Sequence, residues 1–161
     1  MKEGESDGYG KFYYESGQVK YEGEFKESKI HGKGALYYEN GKRSYVGKFR
    51  EGQMEGYGIT YDENRVKWHE GENKRDAFHG LGKLFNDDGS LAYEGEFEHG
   101  NCNGKGTSYK AEGGMIYKGE WKDGSFHGYG SSYYENGNVL YKGDWKEDNR
   151  TAGRSNCPPH H

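Results

Sequence analysis

The sequence predicts an all-β protein, an elongated single-layer antiparallel sheet of tandem β-hairpins. Three observations carry this expectation. A Tyr-x-Gly-x-aromatic motif followed by a Gly-x-Gly pair recurs every 24 residues, without insertion or deletion, from Gly8 to Trp145. A fixed period of this size marks a repeat architecture. X-Gly turn signals recur at two places in the period, in three copies at the first and, as Ser-, Asn- or Asp-Gly, in four at the second, and no segment shows the 3.6-residue periodicity of a helix.

The copies begin at Tyr21, Tyr45, His69, Tyr93, Tyr117 and Tyr141, each taken as position 1. Position 5 is Phe25, Phe49, Asn73, Phe97, Trp121 and Trp145, and glycines stand at positions 12 and 14 through Gly128 and Gly130. Positions 7 and 8 read Glu51-Gly52, His99-Gly100 and Asp123-Gly124; positions 20 and 21 read Asn40-Gly41, Asp88-Gly89 and Asn136-Gly137. Such pairs supply the positive φ of two-residue hairpin turns, so each repeat holds two strands. The expected register puts position 5 opposite 10, 3 opposite 12 and 1 opposite 14. Across the second turn, 12 faces the next 5, 14 the next 3, 16 the next 1, and 17 faces 24.

Alternation then gathers positions 1, 3, 5, 10, 12, 14 and 16 on one face. That face is aromatic and glycine-rich, with Ile30, Met54, Phe78, Cys102 and Phe126 at position 10. Rings over bare backbone stabilise glycines that otherwise weaken a strand. The other face is mostly charged. The acids at position 4 are expected to pair with position 11, as Glu24 with His31, Glu72 with His79 and Glu120 with His127, with Lys48 and Glu55 reversed in the second copy.

Composition bounds the function. Only 30% of the chain is hydrophobic and 31% is charged, so a thin aromatic stripe is expected instead of a thick core. A net charge of -4 argues against nucleic acid, which needs a concentrated basic surface. Two cysteines, Cys102 and Cys157, are too few for a disulfide scaffold and favour a reducing compartment. The N-terminal residues show no signal-peptide pattern, and no stretch has membrane-spanning length. The expected location is cytoplasmic, at a membrane or cytoskeletal surface.

No catalytic, cofactor or metal site is expected. His31, His79 and His127 recur every 48 residues, roughly 19 Å apart at four strands per step, too far to share a zinc ion. The row Glu24, Glu72, Glu96, Glu120 and Asp144 is unenclosed, so nothing separates its pKa values for acid–base work. The Gly-x-Gly pairs lack the following helix of a phosphate loop. Position 6 carries Lys26, Arg50, Lys74, Lys122 and Lys146, but Glu27, Glu51, Asp123 and Glu147 follow at position 7.

The Tyr-Glu-Gly-Glu-Phe, His-Gly-Lys-Gly and Tyr-Tyr-Glu-Asn-Gly patterns resemble the MORN repeat family, in a 24-residue spacing similar to bacterial antitoxin-type variants. The resemblance implies a sheet of hairpins acting as a scaffold, a membrane-associated organiser or an accessory module of a larger enzyme. The expected organisation is a lead-in at 1–7, about six repeats over 8–150, and a degenerate cap with a flexible tail at 151–161. The expected function is a non-catalytic scaffold binding another protein or peptide segment on the aromatic-glycine face. Its anchors are Tyr21, Phe25, Tyr45, Phe49, His69, Asn73, Tyr93, Phe97, Tyr117, Trp121, Tyr141 and Trp145. Weak phospholipid contact and self-association through open sheet ends are the further expectations. Copy three loses its frame rings at His69 and Asn73; the resulting notch is either a pocket or a gap filled by Phe78.

Overall fold

The computed structural model describes residues 8–145, 157 and 158. The expected lead-in at 1–7, the cap over 151–156 and the end of the tail lie outside the described residues. The chain divides into two compact units between Ala77 and Phe78. The described part is all-β and antiparallel.

The first unit holds β1 (Gly8–Tyr13), β2 (Val19–Lys26), β3 (Lys29–Tyr37), β4 (Arg43–Arg50), β5 (Gln53–Tyr61) and β6 (Lys67–Lys74). The second holds β7 (Ala77–Phe85, from Phe78), β8 (Leu91–Glu98), β9 (Asn101–Tyr109), β10 (Met115–Lys122), β11 (Ser125–Tyr133) and β12 (Val139–Trp145). In each unit the strands stand side by side in chain order. Two tight turns per period leave each strand no neighbour but its sequence neighbours, as the repeat predicts.

The two turns differ in kind. At the first, both central residues are left-handed, as in Glu27 and Ser28 (φ 51° and 67°) or Asp123 and Gly124 (φ 50° and 87°), the two-residue turn that matches strand twist. The second turn departs from expectation. Gly41 N donates to Tyr38 O at 3.0 Å, and only the glycine of that loop is left-handed, at φ 89°. This is a type I turn closed by a glycine bulge. It shifts the pairing, so Tyr37 faces Arg43 and Phe85 faces Leu91, position 23 instead of 24. Asn40 Oδ1 accepts the Lys42 N–H at 2.8 Å, which explains the Asn or Asp of this turn.

The second correction concerns the first hairpin. Phe25 faces Ile30 as expected, but Gly23 then faces Gly34 and Tyr21 faces Leu36. Positions 3 and 1 thus meet 14 and 16, because two extra residues are taken up in a bulge. Glycine at position 12 allows it, with φ of 70° at Gly32, 100° at Gly56 and 99° at Gly104. The acid of position 4 folds over that bulge: Glu24 Oε2 accepts the Lys33 N–H at 3.2 Å. The expected Glu24–His31 ion pair is therefore replaced; His31 Nδ1 accepts instead the Glu51 N–H at 3.4 Å. Glu55 Oε1 likewise accepts the Arg75 N–H at 3.2 Å. Glu120 and His127 stand directly opposite, as expected. A two-residue shift preserves side-chain parity, so the aromatic face survives the error. Across the second turn the register agrees with expectation, with Gly32 facing Phe49 and Gly34 facing Gly47.

Candidate functional site

The aromatic face is built from a repeated local device. The Tyr21 side chain lies along its own strand, and its hydroxyl donates to the Glu24 carbonyl at 2.8 Å. Tyr93, Tyr117 and Tyr141 do the same to Glu96, Asp144's counterpart Glu120, and Asp144, each at 2.8 Å. The ring needs a floor without side chains. Gly34, Gly58, Gly106 and Gly130 supply it, since a Cβ at any of them would run into the tyrosine above. The two glycines of each pair thus have separate tasks: the first makes the bulge, the second seats a ring.

The rings then pack against one another. In the first unit Tyr21 meets Phe25 and Phe49 edge-on, at centroid distances of 5.3 and 5.4 Å. In the second, Tyr93 meets Phe97 and Trp121 at 5.2 and 5.1 Å, and Tyr117 meets Trp121 and Trp145 at 5.4 and 5.3 Å. Edge-to-face pairs at these distances contribute about 0.5–1.5 kcal/mol each beyond area burial. The indoles add a polar tie. Trp121 Nε1 donates to Gly106 O at 3.0 Å and Trp145 Nε1 to Gly130 O at 3.1 Å.

These contacts bury the expected anchors. Tyr21, Phe25, Tyr45, Phe49, Tyr93, Phe97, Tyr117, Trp121 and Trp145 are all buried, and Tyr141, on the last strand, is 38% exposed. The frame rings form the interior of each unit. What the face offers outward in the first unit includes the exposed Phe12 and the partly buried Ile30, Leu36 and Met54, all packed on those rings. Burial also fixes their chemistry. It pushes the phenols of Tyr21, Tyr45 and Tyr117 up to about 12 and that of Tyr93 higher still, so they remain donors.

The expected notch at copy three is closed. His69 is fully buried and Asn73 is 3% exposed. Asn73 Nδ2 donates to the Tyr45 hydroxyl at 3.4 Å and to Gly56 O at 3.3 Å. A short amide therefore takes the place of a ring and keeps a tie to the preceding strand, as the tryptophans do. Phe78 packs within the second unit, edge-on to Phe97 at 5.9 Å.

Burial holds the His69 imidazole down at about 4, against the opposing pull of the Glu70 carboxylate. A lowered histidine pKa means the unfolded chain binds the proton more readily. Its contribution to stability is complete above the ordinary value of 6.5 and is lost as pH falls toward 4. Between pH 7 and pH 5 the loss from this group is expected to be about 2 kcal/mol. His69→Tyr, which restores the frame residue, should remove that part of the acid sensitivity. Parallel denaturation curves for the two proteins, differing equally at both pH values, would contradict it.

The second unit holds what sequence reasoning missed. Cys102, at position 10 and fully buried, forms a disulfide with Cys157, 55 residues on, with Cα atoms 5.6 Å apart. Cys157 N donates to Gly124 O at 2.9 Å, and Cys157 packs against the aromatic cluster. The bridge bears on two expectations. It fastens Cys157 to the aromatic face, and it pairs both of the cysteines whose small number pointed to a reducing compartment. Spacing carried no signal, because only the fold brings these residues together. Among the described residues no helix is long and apolar enough to cross a membrane.

Comparison with known families agrees with this architecture. The MORN repeat model matches residues 21–43, 45–65, 93–115 and 117–139, more than half of the chain. A MORN repeat variant matches residues 6–27 and 78–99. Neither begins a match at His69, the copy whose frame rings are replaced. No curated protein matches the chain. The matched models, the 24-residue hairpin period and the tyrosines seated on glycine give one answer: the chain belongs to the MORN-repeat family, whose repeats are protein- or membrane-binding modules.

Proposed function

We propose that this chain is a non-catalytic interaction scaffold that receives an extended segment of a partner protein on its aromatic-glycine face. The observation that carries the reading is Cys157. Cys157 already sits on that face in the second unit, through a backbone hydrogen bond to Gly124 and contact with the ring cluster. In the first unit the matching position-10 residues, Ile30 and Met54, are partly exposed over a rigid floor of rings. Rigid rings give contact area at little entropic cost, and a partner anchor packed over Ile30, Leu36 and Met54 would use them without unfolding anything.

A photo-crosslinking amino acid at Met54, expressed in the native cell, tests this. Adducts of discrete mass are expected from position 54, and none from Lys33, which is exposed on the charged face. Equal labelling from both positions, or none from 54, would refute the proposal.

A second reading is a membrane-surface module for anionic phospholipid, alone or as an accessory part of a larger enzyme. Its specific support is the exposed ladder Lys26, Arg50 and Lys74, extended by Arg75 where the two preceding copies carry Glu27 and Glu51. Flotation with anionic vesicles that collapses in high salt would favour it, since exposed charge is screened.

A further inference from the structure

The third copy breaks the repeat a second time, at its turn. Glycine occupies the closing position of the second turn at Gly17, Gly41, Gly89, Gly113 and Gly137, with φ between 89° and 107°. The remaining copy has Arg65 there, at φ 71°. A left-handed backbone disfavours any side chain, so glycine is the easier residue at this place. Arginine at a glycine position calls for a local explanation.

The surroundings provide one. Arg65, with Lys42, Arg43, Gly41, Tyr37 and Tyr61, lines a recess of about 310 Å³ in the first unit, between the β3–β4 and β5–β6 turns. Three cations and two phenol rings converge, and among the described residues no carboxylate lines the recess. Among the described residues Lys42, Arg43 and Arg65 make no ion pair. The nearby turn acid Asp62 is engaged, its Oδ1 accepting the N–H groups of Asn64 and Val66 at 2.8 and 2.9 Å.

The cluster belongs to this junction and not to the repeat. The position that carries Arg43 is apolar at Val19, Leu91, Met115 and Val139, and the one other base there, Lys67, is paired with Glu70 at 3.1 Å. Tyr37 stands directly across from Arg43, half-buried, so a ring and a guanidinium flank the same opening. Guanidinium groups present paired donors that match a phosphate, an ammonium adds charge, and aromatic faces accept a planar group.

We propose that this recess binds a phosphate monoester carried on a small ring-bearing organic group. The phosphate would sit among Lys42, Arg43 and Arg65, and the ring against Tyr37 and Tyr61. The site is separate from the aromatic-glycine face and stands or falls independently of the function proposed for that face.

The test is amide NMR of the full chain titrated with phenyl phosphate, with inorganic phosphate alongside. Shifts are expected at Gly41, Arg43 and Arg65, with phenyl phosphate the tighter ligand. Arg65→Gly should weaken phenyl phosphate by about tenfold or more, the scale of one charged hydrogen bond. The same variant should melt no lower than the wild type, because glycine suits the turn. A lower melting temperature with unchanged phenyl phosphate affinity would make Arg65 a turn residue only and overturn the proposal. Equal affinity for inorganic phosphate would overturn the role given to the tyrosines. Vesicles of phosphatidylcholine with and without phosphatidic acid separate the sources of the same chemistry. Arg65-dependent binding to phosphatidic acid assigns the monoester to a lipid, and binding in solution alone assigns it to a soluble ester. Failure of both arms refutes the site.

Discussion

Breaking the Cys102–Cys157 bridge is expected to lower the stability of the second unit by about 4 kcal/mol, the chain-entropy value for a closed loop of its size. The bond joins residues 55 apart in sequence, so the unfolded chain gains much freedom when it is cut. Cys157→Ser is the better variant, because Cys102 is fully buried at the centre of the ring cluster and a hydroxyl there would add its own desolvation cost. Urea denaturation with and without a dithiol reductant measures the effect. The wild type should shift to lower midpoint under reduction, and Cys157→Ser should be unaffected by it. Coincident wild-type curves, or two thiols alkylated in unreduced unfolded protein, would show that the bridge does not form.

Gly95→Ala is expected to cost about 3 kcal/mol, at the upper end of overpacking effects. A methyl group at residue 95 would meet Gly106 Cα and stand 2.5 Å from the Lys105 carbonyl oxygen, with the Tyr93 hydroxyl at 2.7 Å. Backbone atoms cannot rotate aside, so the strands must separate. Gly114→Ala is the matched control, because that Cβ would enter open space without a left-handed backbone. It should be neutral or slightly stabilising, since alanine has less chain entropy to lose on folding. Equal melting temperatures for the two variants would show that β8 and β9 do not approach glycine to glycine.

Both predictions depend on features with different histories in the sequence. The hairpins, their number and the two faces were legible because period and alternation are local properties of the chain. The glycine pair was read as uniform packing, whereas Gly104 closes a bulge at φ 99° and Gly106 seats Tyr93. That division depends on which residue the opposing strand skips, and pattern alone left two registers of equal parity. The acids of position 4 looked like cross-strand partners and instead cap the bulge, as Glu24 does for Lys33.

By itself, then, the sequence determined that the chain makes antiparallel hairpins with an aromatic-glycine face and a charged face, because turn chemistry and side-chain parity act over a few residues. The missing glycine at Arg65 stood in the same pattern but carried no expectation until its φ of 71° was seen. Only the tertiary structure decided that the frame rings are interior. Tyr21, for example, is enclosed by Phe25 of its own repeat and Phe49 of the next, and burial depends on the angle between neighbours as well as on the face a residue occupies. Tertiary structure alone also joined Cys102 to Cys157 and gathered Lys42 and Arg43 with Arg65. These meetings pair residues from different hairpins or from beyond the array, and their distances are set by how strands stack, a quantity no single repeat contains.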